Sequence, residues 1–377
     1  MVSSMRRIIP VLVVAAVALL VAAGVFARRV GDRAAPAPAT SASVSGPVPA
    51  SRPPTFAFYY LWWSIQHWHD KLGPDYPYGA HPLPLPASLP AAGCPPTSLY
   101  RGNQLTDVPA QLWSQDDPGQ IEADEREAAS AGLTGFAVNW AGGGTYDERL
   151  AATFRGADTL REEGVPFSLV LSYKASAKVL PLSTILADLA YYRDHYASDP
   201  AQYLLNGKPV VIFQGSHKYD DATLAAVAAA FGDTFRIIGD ETPDTYTQQR
   251  GADMYGASYY WSTQDPSTNP ESFGQLRDFA KAVRATPPNP DGSPKVWWAP
   301  FTPGYDGILL GDTTCIPRRD GDTMRMLFRG NATSNPDGWT LISWNEYAEG
   351  TYVDPMQRYG YRFLHALEGL LSSSPSS

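Results

Sequence analysis

Histidine and cysteine are scarce in this chain, which has six His and two Cys in 377 residues. So few imidazoles weigh against a histidine-built metal centre, and nothing indicates a cofactor. Basic charge is also short, at 29 Lys and Arg against 38 Asp and Glu. Without residues 1–33, which hold five Arg and one Asp, the counts become 24 and 37, a net charge of −13. A domain with that overall field does not bind nucleic acid or other polyanions, whereas neutral polymers are permitted. Nucleotide motifs are missing too. No G-x-G-x-x-G follows the first strand-like run, and Gly142-Gly143-Gly144 lacks the Lys-Ser/Thr of a P-loop, so it reads as a loop that leaves a groove open.

What is present suits a large core: 44% of residues are hydrophobic and 18% charged. Arg6 and Arg7 precede an apolar run from Ile8 to Ala27, with Arg28 and Arg29 behind it. That length favours an uncleaved membrane anchor, although Val25 and Ala27 also suit a signal peptidase. Under either reading the remainder is exported. Residues 1–33 are thus an anchor or signal peptide, 34–54 a Pro/Ala/Ser-rich linker, 55–371 the folded domain and 372–377 a tail.

Eight β-branched or aromatic runs, bounded by Gly, Pro, Asn or Asp, punctuate the domain at 56–63, 135–140, 167–173, 209–214, 236–240, 254–261, 296–301 and 339–345. Helical stretches lie between them, at 120–131, 147–163, 183–196, 221–231, 270–285, 322–329 and 359–371. Alternation of this kind predicts a parallel sheet, and eight units predict a closed (β/α)8 TIM barrel. An open doubly wound sheet is the other arrangement considered. Cys94 and Cys315 fall in the long loops after the first and seventh strands, on one face of such a barrel, and an isolated pair in an exported protein is expected to be bridged.

Barrel enzymes carry their chemistry at the C-terminal ends of the strands. Here those ends supply Tyr60, Trp62 and Trp63 with His67-Trp68-His69 behind; Asn139 and Trp140; Tyr173; Gln214; Asp240 and Glu241; Tyr260 and Trp261; and Tyr305. The last run stops at Asn345 and delivers Glu346 and Glu349 into a turn, beside Trp344, Tyr347 and Tyr352. Aromatic faces alternating with hydrogen-bonding groups suit a carbohydrate, and two close carboxylates suit acid–base cleavage of a glycosidic bond. Each aromatic taken singly serves packing equally well, so the reading rests on the ring of them.

The run SWNEYAEGTYVDP, with RYG just behind, resembles the signature of glycoside hydrolase family 99, the endo-α-mannosidases, and of the related WbsX-like proteins, in which N-E-W-x-E-G-T closes the barrel. FYYLWWSIQHWH, LTGFAVNW, NGKPVVIF and APFTPGYDG resemble the family's first, second, fourth and seventh strands, so the similarity spans most of residues 56–366. Tyr347 stands where Trp is usual, Ala348 where the endo-mannosidases have His, and Asp354 where Glu is common. The resemblance implies that Glu349 is the general acid and then the base. It also implies that Glu346 deprotonates the sugar's own 2-hydroxyl, which attacks the anomeric carbon with retention. Three alternatives use other features. One pairs Asp240 or Glu241 with the eighth-strand acids, as in family 71 α-1,3-glucanases; another reads His67-Trp68-His69 as metal ligands; the third is a glycan-binding barrel without catalysis.

Overall fold

The computed structural model describes residues 52–86, 94, 98–174 and 179–373. The expected anchor or signal, nearly all of the linker and residues 374–377 lie outside the described residues. Among the described residues no helix is long and apolar enough to cross a membrane.

Runs such as TFAFYY and GFAVNW are buried along their whole length, as strands covered on both faces must be. Eight of them form the barrel: β1 (Thr55–Tyr60), β2 (Gly135–Trp140), β3 (Ser168–Lys174), β4 (Lys208–Gln214), β5 (Arg236–Asp240), β6 (Gly256–Ser258), β7 (Val296–Phe301) and β8 (Gly338–Leu341). All neighbours pair in parallel. The ring is continuous through β3 and β4, where Leu171 lies opposite Val211, and through β1 and β8, where Thr55 lies opposite Trp339. The (β/α)8 expectation is therefore met.

Side chains alternate across each strand. Phe56, Phe58, Ala137, Val170, Val210, Ile212, Ile238, Trp298 and Ile342 fill the barrel interior. Their neighbours, such as Tyr59, Phe136, Val138 and Leu171, pack outward under the helices. These are α1 (Ile65–Leu72), α2 (Pro118–Ser130), α3 (Thr145–Glu162), α4 (Leu182–His195), α5 (Asp221–Phe231), α6 (Gln248–Asp253), α7 (Ser272–Ala285), α8 (Asp322–Ala332) and α9 (Arg362–Ser372). Seven correspond to the expected stretches. The other two, α1 and α6, are short helices at places the sequence pattern left as loops.

Helix α1 starts at Ser64, whose hydroxyl accepts from the His67 amide, and stops at Gly73. A side chain at Gly73, φ +81°, would come within 2.2 Å of the Arg101 carbonyl oxygen, so only glycine turns the chain there.

The Cys94–Cys315 bridge forms as expected. It joins the long segment after β1 to an antiparallel ribbon, Tyr305–Asp306 with Cys315–Ile316, in the loop after β7. Behind that ribbon half-buried Arg318 lies against Tyr352, Tyr359 and Phe363, with its guanidinium carbon 4.5, 4.9 and 3.6 Å from the three ring centroids. Cation–π contact on three rings fixes the loop over the end of the chain.

One carboxyl is costly. Glu125, on α2, is fully buried against Gly156 of α3, and neither of its oxygens accepts a hydrogen bond among the described residues. Burial, then the negative charges of Asp124 and Glu122, raise its pKa well above the ordinary value. A carboxyl raised in the folded state stabilises the fold fully below its unfolded pKa, and that stabilisation is lost as pH rises through the folded pKa.

Two predictions follow from this packing. Glu125→Met should gain thermal midpoint over wild type by about 2–4 °C as pH is raised from the ordinary carboxylate range to about 8, and a pH-independent difference in scanning calorimetry would contradict the assignment. Replacing both cysteines by serine opens a link across 221 residues and should cost roughly 2–5 kcal/mol in denaturant titrations, with the loss absent when the wild type is compared under reducing conditions.

Candidate active site

The catalytic candidates are placed by a side chain that imitates backbone. Where the sheet ladder of β8 gives out, Asn345 takes its place against β1: its Oδ1 accepts from the Tyr60 amide at 2.8 Å and its Nδ2 donates to the Tyr60 carbonyl at 3.0 Å. The turn that follows is closed by bonds of its own. The Glu346 amide donates to Ser343 Oγ at 2.9 Å, the Ser343 amide to the Thr351 carbonyl at 2.8 Å, and the Gly350 amide to the Tyr347 carbonyl at 3.1 Å. Gly350 has φ +63°, and the Asp306 amide donates to the Glu349 carbonyl at 2.7 Å, which ties the turn to the loop after β7. Glu346 and Glu349 consequently share the wall of one cavity of about 300 Å3 with Trp62, His67, Lys71, Leu310 and Ala348.

Inside the mouth the inward-facing strand ends form a polar ring. The hydroxyls of Tyr60 and Tyr260 meet at 2.7 Å. Both phenols are raised well above their ordinary pKa, chiefly by burial, with the charges of Glu349 and Glu346 adding to it, so both stay protonated. Asn139 Nδ2 donates to Gln214 Oε1 at 2.7 Å, and Ser172 Oγ donates to the same oxygen at 3.2 Å. Asp240 accepts from the Gly215 and Tyr260 amides at 2.8 and 2.7 Å, which sets the backbone that carries Tyr260. Burial raises this carboxyl despite the two amides that oppose the shift.

The remaining sequence candidates lie behind this ring or on its rim. Trp140 and Tyr173 follow Asn139 and Ser172 directly and so face the other side of the sheet, where both are buried and the Tyr173 hydroxyl donates to Asp188 at 2.8 Å. Trp63 and Trp68 are fully buried, with Nε1 bonded to the carbonyls of Asn345 and Trp113 at 2.8 and 2.9 Å, and they back the turn of Glu346 and Glu349 by packing on Tyr347. Tyr352 is buried with its hydroxyl on Asp107 at 2.7 Å. Glu241 is gripped by Arg250 through both oxygens, at 2.9 and 3.0 Å, and also accepts from Ser216 at 2.7 Å. Trp261 is half-buried at the rim, stacked on Tyr259. Tyr305 is half-buried, bonded to Asp312 and sensitive to the charge of Glu349.

His67 lines the cavity. Its Nε2 has no hydrogen-bond partner among the described residues, and burial followed by the charge of Lys71 lowers its pKa to about 4, so the ring is neutral at physiological pH. Along α1, His67 and His69 are two positions apart and point to different sides, and His69 is exposed. Sequence reasoning missed Ser172, Lys71 and Leu310. The first shares the parity of Val170, an interior residue, and Lys71 lies one helical turn beyond His67.

No protein-family profile matches the sequence, and no curated protein matches it. Solved structures do. The GH99 endo-alpha-mannosidase from Bacteroides thetaiotaomicron in complex with bis-tris-propane is similar with a TM-score of 0.62 and 18% identity, over 84% of this chain and 96% of that one. A second structure of that endo-alpha-mannosidase gives 0.61 and 18%, over 83% and 95%. A glycoside hydrolase-like protein gives 0.56 and 12%, over 86% and 97%. At such identities the likeness is one of fold: the chain has a barrel like that of the GH99 glycoside hydrolases.

Proposed function

We propose that this chain is an exported glycoside hydrolase that cleaves α-linked bonds within a cell-surface or extracellular polysaccharide, with retention. The observation that carries the reading is the position of Glu346 and Glu349 in one cavity wall at the C-terminal mouth, beside the Tyr60–Tyr260 hydroxyl pair. In this reading Glu349 protonates the leaving oxygen and then activates water. Glu346 takes the proton of the sugar's 2-hydroxyl as that oxygen attacks the anomeric carbon. In the neutral phenol pair one hydroxyl donates to the other, and the remaining proton is directed to an oxygen that gains negative charge. Ala348, small where the endo-mannosidases carry His, leaves mannan as one candidate among the α-linked polymers.

Export rests on the N-terminal apolar run, as anchor or cleaved signal, and the bridged cysteines fit an oxidising compartment. Partition of the acid–base work to Asp240 or Glu241 is less favoured, because Glu241 is committed to Arg250 and Asp240 to two backbone amides. A glycan-binding barrel without turnover is the reading from another class, and activity separates it.

Wild type incubated with α-mannans, α-glucans and bacterial envelope polysaccharides should release new reducing ends of oligomeric size, and Glu349→Gln should release them roughly 10²–10⁴-fold more slowly while still binding the polymer. Release from none of them, with equal binding by both proteins, would favour the glycan-binding barrel. Asp240→Asn, which keeps one acceptor oxygen and so sets an NH2 against one of the Gly215 and Tyr260 amides, should lower turnover by about tenfold to a hundredfold in a protein with unchanged circular dichroism. Full activity would show that Tyr260 needs no such support.

A further inference from the structure

A second, larger concavity lies on the outer side of the catalytic turn, between α2 and the segment that follows Tyr352. Its volume is about 800 Å3, within the span of small-molecule clefts, and it shares no lining residue with the cavity of Glu346 and Glu349. Trp113 and Tyr361 contribute aromatic faces, and Gln120, Asp124, Glu127 and Asp354 contribute polar groups. Tyr361 is 55% exposed, with its ring stacked on that of His365 at 5.9 Å between centroids. Arg126 is the cation that borders the groove, and it is committed to Glu122 and Glu163. With Arg126 engaged, no unengaged cation lines the groove to draw an anion.

The polar groups are held in place rather than loose. Asp124 accepts from Gln120 at 2.9 Å and from Tyr59 at 2.8 Å. Asp354 accepts from the hydroxyl of Tyr347, the residue between Glu346 and Ala348. Trp113 forms the partition: its ring meets Trp68 and Tyr347 edge to face, at 5.4 and 6.3 Å between centroids, so one wall separates this groove from the catalytic turn.

We propose that this groove is an accessory binding site for neutral sugar rings of the polymer substrate. Ring faces for C–H surfaces, rimmed by fixed acceptors for hydroxyls, are the combination that a pyranose needs, and the absence of an unengaged cation selects uncharged units. The groove holds a stretch of chain next to the turn that cuts it and raises the local concentration of polymer at the mouth. The assignment rests on the glycosidase reading for the identity of its ligand, but not for its test.

Titration calorimetry of the full-length Glu349→Gln protein with neutral α-linked heptasaccharides of glucose and of mannose is expected to give two sites per chain for one of them. Adding Tyr361→Ala should remove one site or weaken it tenfold or more. In the active protein, Tyr361→Ala should leave turnover of short oligosaccharides unchanged and slow depolymerisation of long chains at least threefold. A single site that ignores Tyr361→Ala and Glu127→Gln would overturn the proposal while leaving the catalytic reading intact, and so would binding of neither sugar. Binding of a polylysine probe in the groove without competition from either sugar would overturn it too. Reducing-end release by wild type, measured alongside, reports on the glycosidase reading separately.

Discussion

The site depends on the double hydrogen bond between the Asn345 carboxamide and the backbone of Tyr60. A barrel strand is positioned by its ladder, and the regular ladder of β8 ends at Leu341, leaving single bonds from the Ile342 amide to the Phe301 carbonyl and from the Trp344 amide to the Phe58 carbonyl. The Asn345 side chain adds to these the bond pair closest to the two acids that follow. The Asn345 amide supplies one donor and one acceptor with the spacing of a peptide group, and so carries the β1–β8 seam on to Tyr60, three residues past its last ladder pair at Ala57. Trp63 Nε1, bonded to the Asn345 carbonyl, closes the same corner from outside. From this corner Glu346 is set by Ser343, and Glu349 by the turn at Gly350 and its bond to Asp306.

Around that corner the residues divide by parity. Inward positions at the mouth carry hydroxyls, carboxamides and one buried carboxyl, which suit a sugar's oxygens. Outward positions carry the large rings, which fill space between sheet and helices. The aromatic mass near the acids is thus mainly a rigid backing: Trp63, Trp68, Trp113 and Tyr347 pack on one another and hold the turn from behind. Under the proposed glycosidase chemistry, rigidity at this point matters because general acid and base must be held in reach of the glycosidic oxygen.

Much of this was legible in the sequence. Eight apolar runs alternating with amphipathic stretches called for the closed barrel, and the position of Glu346 and Glu349 after the last run placed them at its mouth. The cysteine pairing followed from the same topology. What the pattern could not decide was which of two consecutive residues at a strand end faces inward. Asn139 and Trp140 are equally acceptable to a strand, and so are Ser172 and Tyr173; the choice is made by register across the whole ring. Parity carried forward from Phe56, Phe58 and Tyr60 was the available signal. The commitment of Glu241 to Arg250 depends on the short helix α6, whose six residues carry too little periodicity to be read. The outer groove assembles positions 113, 124, 354 and 361, which only the folded chain brings together.

The most direct test of the account is a crystal structure of Glu349→Gln with an oligosaccharide spanning the mouth. The account predicts the scissile oxygen within hydrogen-bond reach of the side chain at position 349, and the 2-hydroxyl of the sugar on its non-reducing side facing Glu346. A sugar whose scissile bond lies instead against Asp240, with Glu346 and Glu349 out of reach, would contradict it.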